Sequence, residues 1–279
     1  MNSRLRGLIE MLLMAVAYFL SGRLGLLLAI PPGYATAVWP ASGIALAGVL
    51  IMGWRISPGI WLGSFIINIG TSLDTTSVQA LLHSLIIPAV IALGATLQAI
   101  VGAALIRKYV GYQNILLQES RIIVLLLLGG PLACLANASV GVGTLWFVGA
   151  VPKDSVMFNW WTWWIGDTIG VLVFAPIVLV WTARPYRSWY RRQLSVTAPL
   201  LLMFGLTVLV FFNISSREQS RLRAEFEDHG GDIAQQLQIE LDRYEIALSA
   251  TTGFISGWNG TSDAFNSYAK HVFQQLPHL

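Results

Sequence analysis

One carboxylate constrains this chain more than any other residue. Asp167 follows the run Trp160-Trp161-Thr162-Trp163-Trp164-Ile165-Gly166, and after it no charge occurs until Arg184. An uninterrupted apolar stretch of that length has the dimensions of a bilayer-crossing helix. An ionisable group inside such a helix costs several kcal/mol unless it is paired or wetted, so its presence marks a functional position by default. The composition agrees with that setting: of 279 residues, 55% are hydrophobic and 11% charged, where a soluble domain carries about a quarter charged residues. Cys134 is the one cysteine, which excludes a disulfide framework and a cysteine-based metal site.

Seven apolar segments follow one another at roughly 8–30, 37–54, 58–73, 79–106, 121–142, 157–183 and 195–213. The first opens like a signal peptide, with Arg4 and Arg6, but is too long and lacks a small-residue cleavage site, so it reads as an uncleaved span. The fourth carries Pro88, a place for a kink. Gly149-Ala150-Val151-Pro152 reads as an interfacial hairpin. If the segments alternate, Arg4, Arg6, Arg55, Arg107, Lys108, Arg121, Arg184, Arg187, Arg191 and Arg192 fall on one side and Lys153 alone on the other. That asymmetry predicts a cytoplasmic N-terminus and an exported segment after Asn213. The net charge of +3 therefore reflects topology and gives no reason to expect nucleic acid as a partner.

The composition changes at Arg217, beyond which lie nine of the fourteen acidic residues. Leu222, Phe226, Ile233, Leu237, Leu241, Tyr244 and Leu248 recur at helical spacing, predicting an amphipathic helix interrupted near Gly230-Gly231. Gly257-Trp258-Asn259-Gly260 is a turn, and a further helical stretch begins near Ser262. A segment this small buries little core of its own. The expectation is a polytopic all-α membrane domain over 1–213, with seven to eight spans, followed over 214–279 by the front of an incomplete exported α/β domain that opens with a long helix.

Depth along each span, at about 1.5 Å per residue, brings several polar groups to one outer layer. Arg23 and Asp167 come out at similar depth with opposite charge, which predicts an ion pair between them. Trp39, Asn68, His83 and Asn137 fall in the same layer. Trp160, Trp163 and Trp164 share a helical face with Asp167 and make an aromatic wall suited to an amphipathic or cationic ligand. Two readings stand side by side here: a ligand pocket, and a structural clasp in which the polar groups fix helix packing. Gly166 and Gly170 form a small-x-x-x-small pair that permits close helix contact. No phosphate loop, zinc spacing or catalytic triad is present, so no enzymatic activity and no cofactor are expected of this chain.

Ser21-Gly22-Arg23-Leu24-Gly25, Pro31-Pro32-Gly33 and Val38-Trp39-Pro40-Ala41-Ser42-Gly43-Ile44-Ala45 resemble the opening of the MASE1 membrane-associated sensor domain. Pro58-Gly59-Ile60-Trp61-Leu62-Gly63-Ser64-Phe65 with Asn68 resembles its next motif, and Trp163-Trp164-Ile165-Gly166-Asp167-Thr168-Ile169-Gly170-Val171-Leu172 with Pro176 its last. The segment from Arg217, with Tyr244-Glu245, Phe265 and Tyr268, is similar to the start of a CHASE extracytoplasmic sensing domain. The resemblance implies the sensory half of a bacterial inner-membrane receptor, with a small-molecule ligand, membrane lipid around it and a homodimeric assembly. It also implies an output in c-di-GMP turnover (diguanylate cyclase or phosphodiesterase) or a histidine kinase, outside this chain. A small-solute transporter and an inert anchor for a partner protein remain as alternatives: the first shares the buried charge and Gly/Pro-interrupted helices, though no internal repeat is visible.

Overall fold

The computed structural model describes residues 3–27, 36, 38–73, 75–111, 119–182, 189–257, 263, 265–267 and 270. These are almost entirely helical: α1 (Ser3–Leu26), α2 (Pro40–Met52), α3 (Ser57–Ser72), α4 (Val78–Tyr109), α5 (Glu119–Leu127), α6 (Ala133–Phe147), α7 (Val156–Thr182) and α8 (Trp189–Gly257). Short 3-10 turns at Trp54–Ile56 and Lys153–Ser155 lead into α3 and α7. The Pro31-Pro32-Gly33 motif, the basic connection with Arg184 and Arg187, and the Trp258-Asn259-Gly260 turn lie outside the described residues, as does the side chain of His83. The chain divides into two compact units, Met1–Asn213 and Ile214–Leu279.

Every one of the seven apolar segments falls on helix, but they are not equal. Four stretches are long and apolar enough to cross a membrane: Arg4–Leu26, Val78–Tyr109, Arg121–Phe147 and Lys153–Thr182. Pro40–Met52 and Gln193–Leu209 are apolar but shorter. At 13 residues α2 is roughly 20 Å long, short of the ~30 Å hydrocarbon thickness. Ten of its residues, from Pro40 to Leu50 with Ile44 excepted, are buried. It is the central post of the first unit, in contact with α1, α4 and α7. Met14 and Tyr18 of α1, Ile60 of α3, Ala99 and Ile106 of α4 and Val171 of α7 complete the apolar core around Leu46 and Leu50.

A short helix enclosed by other helices must have its free terminal backbone groups satisfied by its neighbours. At the start of α2 the Trp39 N–H donates to the Gly166 carbonyl of α7 at 2.9 Å. At its end Arg107 of α4 donates through Nη2 to the Val49 and Leu50 carbonyls at 2.6 and 3.3 Å. Together these contacts account for how so short a helix is held in the middle of the bundle.

The segment expected as one span at 121–142 lies within one stretch long and apolar enough to cross a membrane, Arg121–Phe147, and contains a π-helical turn at Leu128–Leu132 between α5 and α6. Pro131 has no N–H to give, and Gly129 sits against Leu46 and Ile106, so the backbone widens there to keep the close contact. Conversely, α8 runs through Gly230 and Gly231 without interruption; each glycine costs a helix only about 1 kcal/mol, and the strong helix formers around them outweigh it. Helix α4 likewise continues through Pro88. The 149–152 hairpin is present as a turn with Gly149 at φ +74°, a conformation that favours glycine. In the second unit the described residues are helical, with no strand among them. Phe226, Ile233, Leu237, Leu241 and Leu248 of the expected apolar stripe stand exposed there.

Candidate functional site

The site is built on the seam between α2 and α7. Gly170 has no side chain because there is no room for one: a Cβ there would meet the Trp39 carbonyl oxygen and lie 2.6 Å from Ser42 Oγ. Gly43 reciprocates, since a Cβ on it would meet the Gly170 carbonyl oxygen and lie 2.8 Å from the Ala175 nitrogen. The helices are thus in backbone contact, and polar groups fill the seam. Ser42 Oγ lies 2.9 Å from the Asp167 carbonyl and 2.8 Å from the Trp39 carbonyl, the two acceptors within its reach. The Trp39 indole N–H donates to Tyr18 Oη of α1 at 3.2 Å.

Asp167 lies next to this seam with none of its surface exposed. Its Oδ2 accepts a hydrogen bond from Asn137 Nδ2 of α6 at 2.7 Å. Among the described residues its Oδ1 has no hydrogen-bond partner. Asn137 is admitted by Gly94 of α4, where a Cβ would lie 2.9 Å from Asn137 Oδ1. One turn along α4, Gln98 donates through Nε2 to Cys134 Sγ at 3.3 Å. Among the described residues the buried Gln98 Oε1, Asn137 Oδ1 and Asp167 Oδ1 have no hydrogen-bond partner. Each such orphan costs about 1–3 kcal/mol, so α4, α6 and α7 carry a polar interior that the fold itself does not satisfy.

The expected Arg23–Asp167 pair does not form. Arg23 is exposed on α1, while the carboxylate is enclosed and its neighbour is the neutral amide of Asn137. Depth had placed the two residues in one layer, but α1 turns Arg23 to the outside of the bundle. Asn68 turns back on its own helix, donating to the Ser64 carbonyl at 2.7 Å.

The tryptophans are drawn into packing. Trp164 donates to the Pro131 carbonyl at 2.8 Å, satisfying an acceptor of the π turn. Trp160 donates to Ser139 Oγ at 3.2 Å and stacks on Trp164 at 6.2 Å, with Trp161 edge-on to both. Trp163 fits against Gly141 and joins the small apolar cluster of Ile91, Leu145 and Val151. Of the residues singled out from sequence, then, Trp39, Asn137, Gly166, Asp167 and Gly170 converge, and Trp164 braces the turn beside them. Ser42, Tyr18, Gln98, Cys134 and Thr168 also belong to the polar interior. Gln98 had a visible signal, an amide within an apolar stretch of α4.

The family model of MASE1 matches residues 11–219. No curated protein and no solved structure matches the chain.

Proposed function

The chain belongs to the MASE1 family of membrane-associated sensor domains, and we propose that it is the sensory input region of a bacterial inner-membrane signalling receptor. In this reading a small-molecule ligand acts on the polar interior around Asp167 and shifts the balance between two packings of the bundle, which it can do only by binding one of them more tightly. The observation that carries the proposal is the enclosed carboxylate whose Oδ1, like Asn137 Oδ1, has no hydrogen-bond partner among the described residues. A donor-bearing ligand satisfies both.

All seven apolar segments cross the bilayer in this reading, with the N-terminus cytoplasmic and residues after about 213 periplasmic as the front of a CHASE-like domain. Movement at Asp167 passes along α7 to α8, which are joined by the Trp181 Nε1–Thr197 Oγ1 hydrogen bond at 3.0 Å and the edge-to-face Phe174–Phe204 contact at 5.2 Å. The exposed stripe from Phe226 to Leu248 serves a homodimer, and the signal is delivered to a cytoplasmic c-di-GMP or histidine kinase output. The chain itself contributes sensing rather than catalysis.

The test is a thermal-unfolding screen of the purified protein against a metabolite library, with Asp167→Asn in parallel. A compound that stabilises the wild type and leaves a folded Asp167→Asn protein unmoved supports the site. Compounds that stabilise both equally, or none that stabilise either, remove Asp167 from the sensing role.

A further inference from the structure

The opposite end of α2 carries a second feature, independent of Asp167. Between the end of α2, Trp54 and the last turns of α4 lies a groove of about 360 Å³, lined by Val49, Trp54, Ile100, Ala104, Arg107 and Lys108 among others. Its volume is within the ordinary range for small-molecule sites, roughly 300–1,000 Å³. The wall is apolar except at one end, where the two cations sit. Arg107 uses Nη2 on the α2 carbonyls, and its Nε and Nη1 have no hydrogen-bond partner among the described residues. Lys108 Nζ lies 5.3 Å from the centre of the Tyr109 ring. Among the described residues neither cation forms an ion pair with a carboxylate.

We propose that this groove binds an anionic phospholipid, its phosphate on Arg107 and Lys108 and its acyl chain along α4. A guanidinium with donors to spare beside a lysine matches a phosphodiester. The apolar remainder distinguishes an amphiphile from a soluble anion. Leu93, Leu97, Ile100 and Ala104 follow at four-, three- and four-residue spacing, so they lie in one row along α4. Leu93 and Leu97 are exposed, and the row extends roughly 16 Å along a helix long and apolar enough to cross the membrane. Trp54, also exposed, stands at the headgroup end, where tryptophans are favoured. Basic pockets between helix ends are where anionic headgroups bind. Because Arg107 also holds the end of α2, a lipid phosphate there stabilises the central helix.

The test uses the whole chain in a neutral detergent, titrated with phosphatidylglycerol, phosphatidylcholine or soluble glycerol phosphate, read by thermal unfolding and native mass spectrometry. Phosphatidylglycerol is expected to raise the unfolding midpoint and remain bound, and the other two are not. Lys108→Gln should weaken that binding about fivefold, the contribution of one cation near a membrane surface. Ala104→Trp fills the groove and should abolish it while keeping the wild-type midpoint in phosphatidylcholine. Should that variant prove unstable, Lys108→Gln decides alone. Equal protection by phosphatidylcholine, equal protection by glycerol phosphate, or unchanged phosphatidylglycerol binding by Lys108→Gln would each overturn the assignment.

Discussion

The two ends of α2 solve one problem by opposite means. At the start, the backbone is held by direct helix contact: Trp39 N–H on the Gly166 carbonyl, with Gly43 and Gly170 removing everything that would keep the helices apart. At the finish, a long side chain reaches across, Arg107 on the Val49 and Leu50 carbonyls. Contact between backbones has no slack, because neither partner has rotamers with which to adjust. A guanidinium on a flexible stem can follow a moving helix. The rigid end is also where the unsatisfied polar groups lie, so the fold keeps its least adaptable contact beside its least stable chemistry. In the proposed reading, a ligand that rearranges Asp167 must therefore move whole helices rather than side chains.

If the rigid end is as unforgiving as this, the largest effect should come from Gly170→Ala. The new methyl falls on the Trp39 carbonyl oxygen and Ser42 Oγ, and α2 can escape only by breaking its bond to Gly166. Overpacking of this kind costs about 1–3 kcal/mol and more where backbone is the obstacle. A drop in the unfolding midpoint large enough to impair accumulation in the membrane is expected. Gly205→Ala, where nothing lies within 4 Å of the added carbon, is the matched control and should be neutral or slightly stabilising. Equal behaviour of the two variants would show that the seam has slack after all.

Next in size is Asn137→Ala, which removes the side-chain hydrogen bond that Asn137 donates to the Asp167 carboxylate. Leaving a buried acceptor without its partner costs about 1–3 kcal/mol, and a loss in that range should appear in the unfolding midpoint. Arg107→Ala should cost less, about 1–2 kcal/mol, because water at the end of the bundle can take over part of what the arginine does for Val49 and Leu50. Arg107→Lys should recover part of the loss. If Arg107→Ala proves the more damaging of the two, the adaptable end, not the rigid one, anchors α2.

How much of this was legible in the sequence follows from what periodicity encodes. Runs of apolar residues placed all seven helical segments, and the isolated charge of Asp167 marked the polar interior, since both signals are local. Gly166 and Gly170 were readable as a packing pair for the same reason. The Arg23 pairing failed because depth along a helix fixes the layer but not the face, and each residue of rotation turns a side chain by about 100°. The shortness of α2 was hidden because its ends are set by α7 and α4, far away in sequence. The indoles misled in a similar way: Trp160 and Trp164 share a face with Asp167, yet their N–H groups point at Ser139 and Pro131 on neighbouring elements. The π turn had a local signal in Gly129-Gly130-Pro131, but the contact of Gly129 with Leu46 and Ile106 that accompanies it comes from other helices.

The smallest predicted effect is also the one with the unusual sign. Asp167→Asn keeps the shape of the side chain and removes an ionisable group that lies fully enclosed. An asparagine oxygen can still accept from Asn137, while the new amide adds donors to an interior whose unpartnered atoms among the described residues, Gln98 Oε1 and Asn137 Oδ1, are acceptors. Replacing a buried ionisable group by a neutral polar one of like volume removes the cost of holding a charge there. The expected outcome is an unfolding midpoint raised by the equivalent of about 1 kcal/mol, on the scale of a newly satisfied hydrogen bond. Sites kept for function rather than stability respond in this way. A clear loss of stability would instead make the Asp167–Asn137 bond a clasp between α6 and α7, on a par with the glycine seam. Both ends of α2 would then be explained by architecture alone.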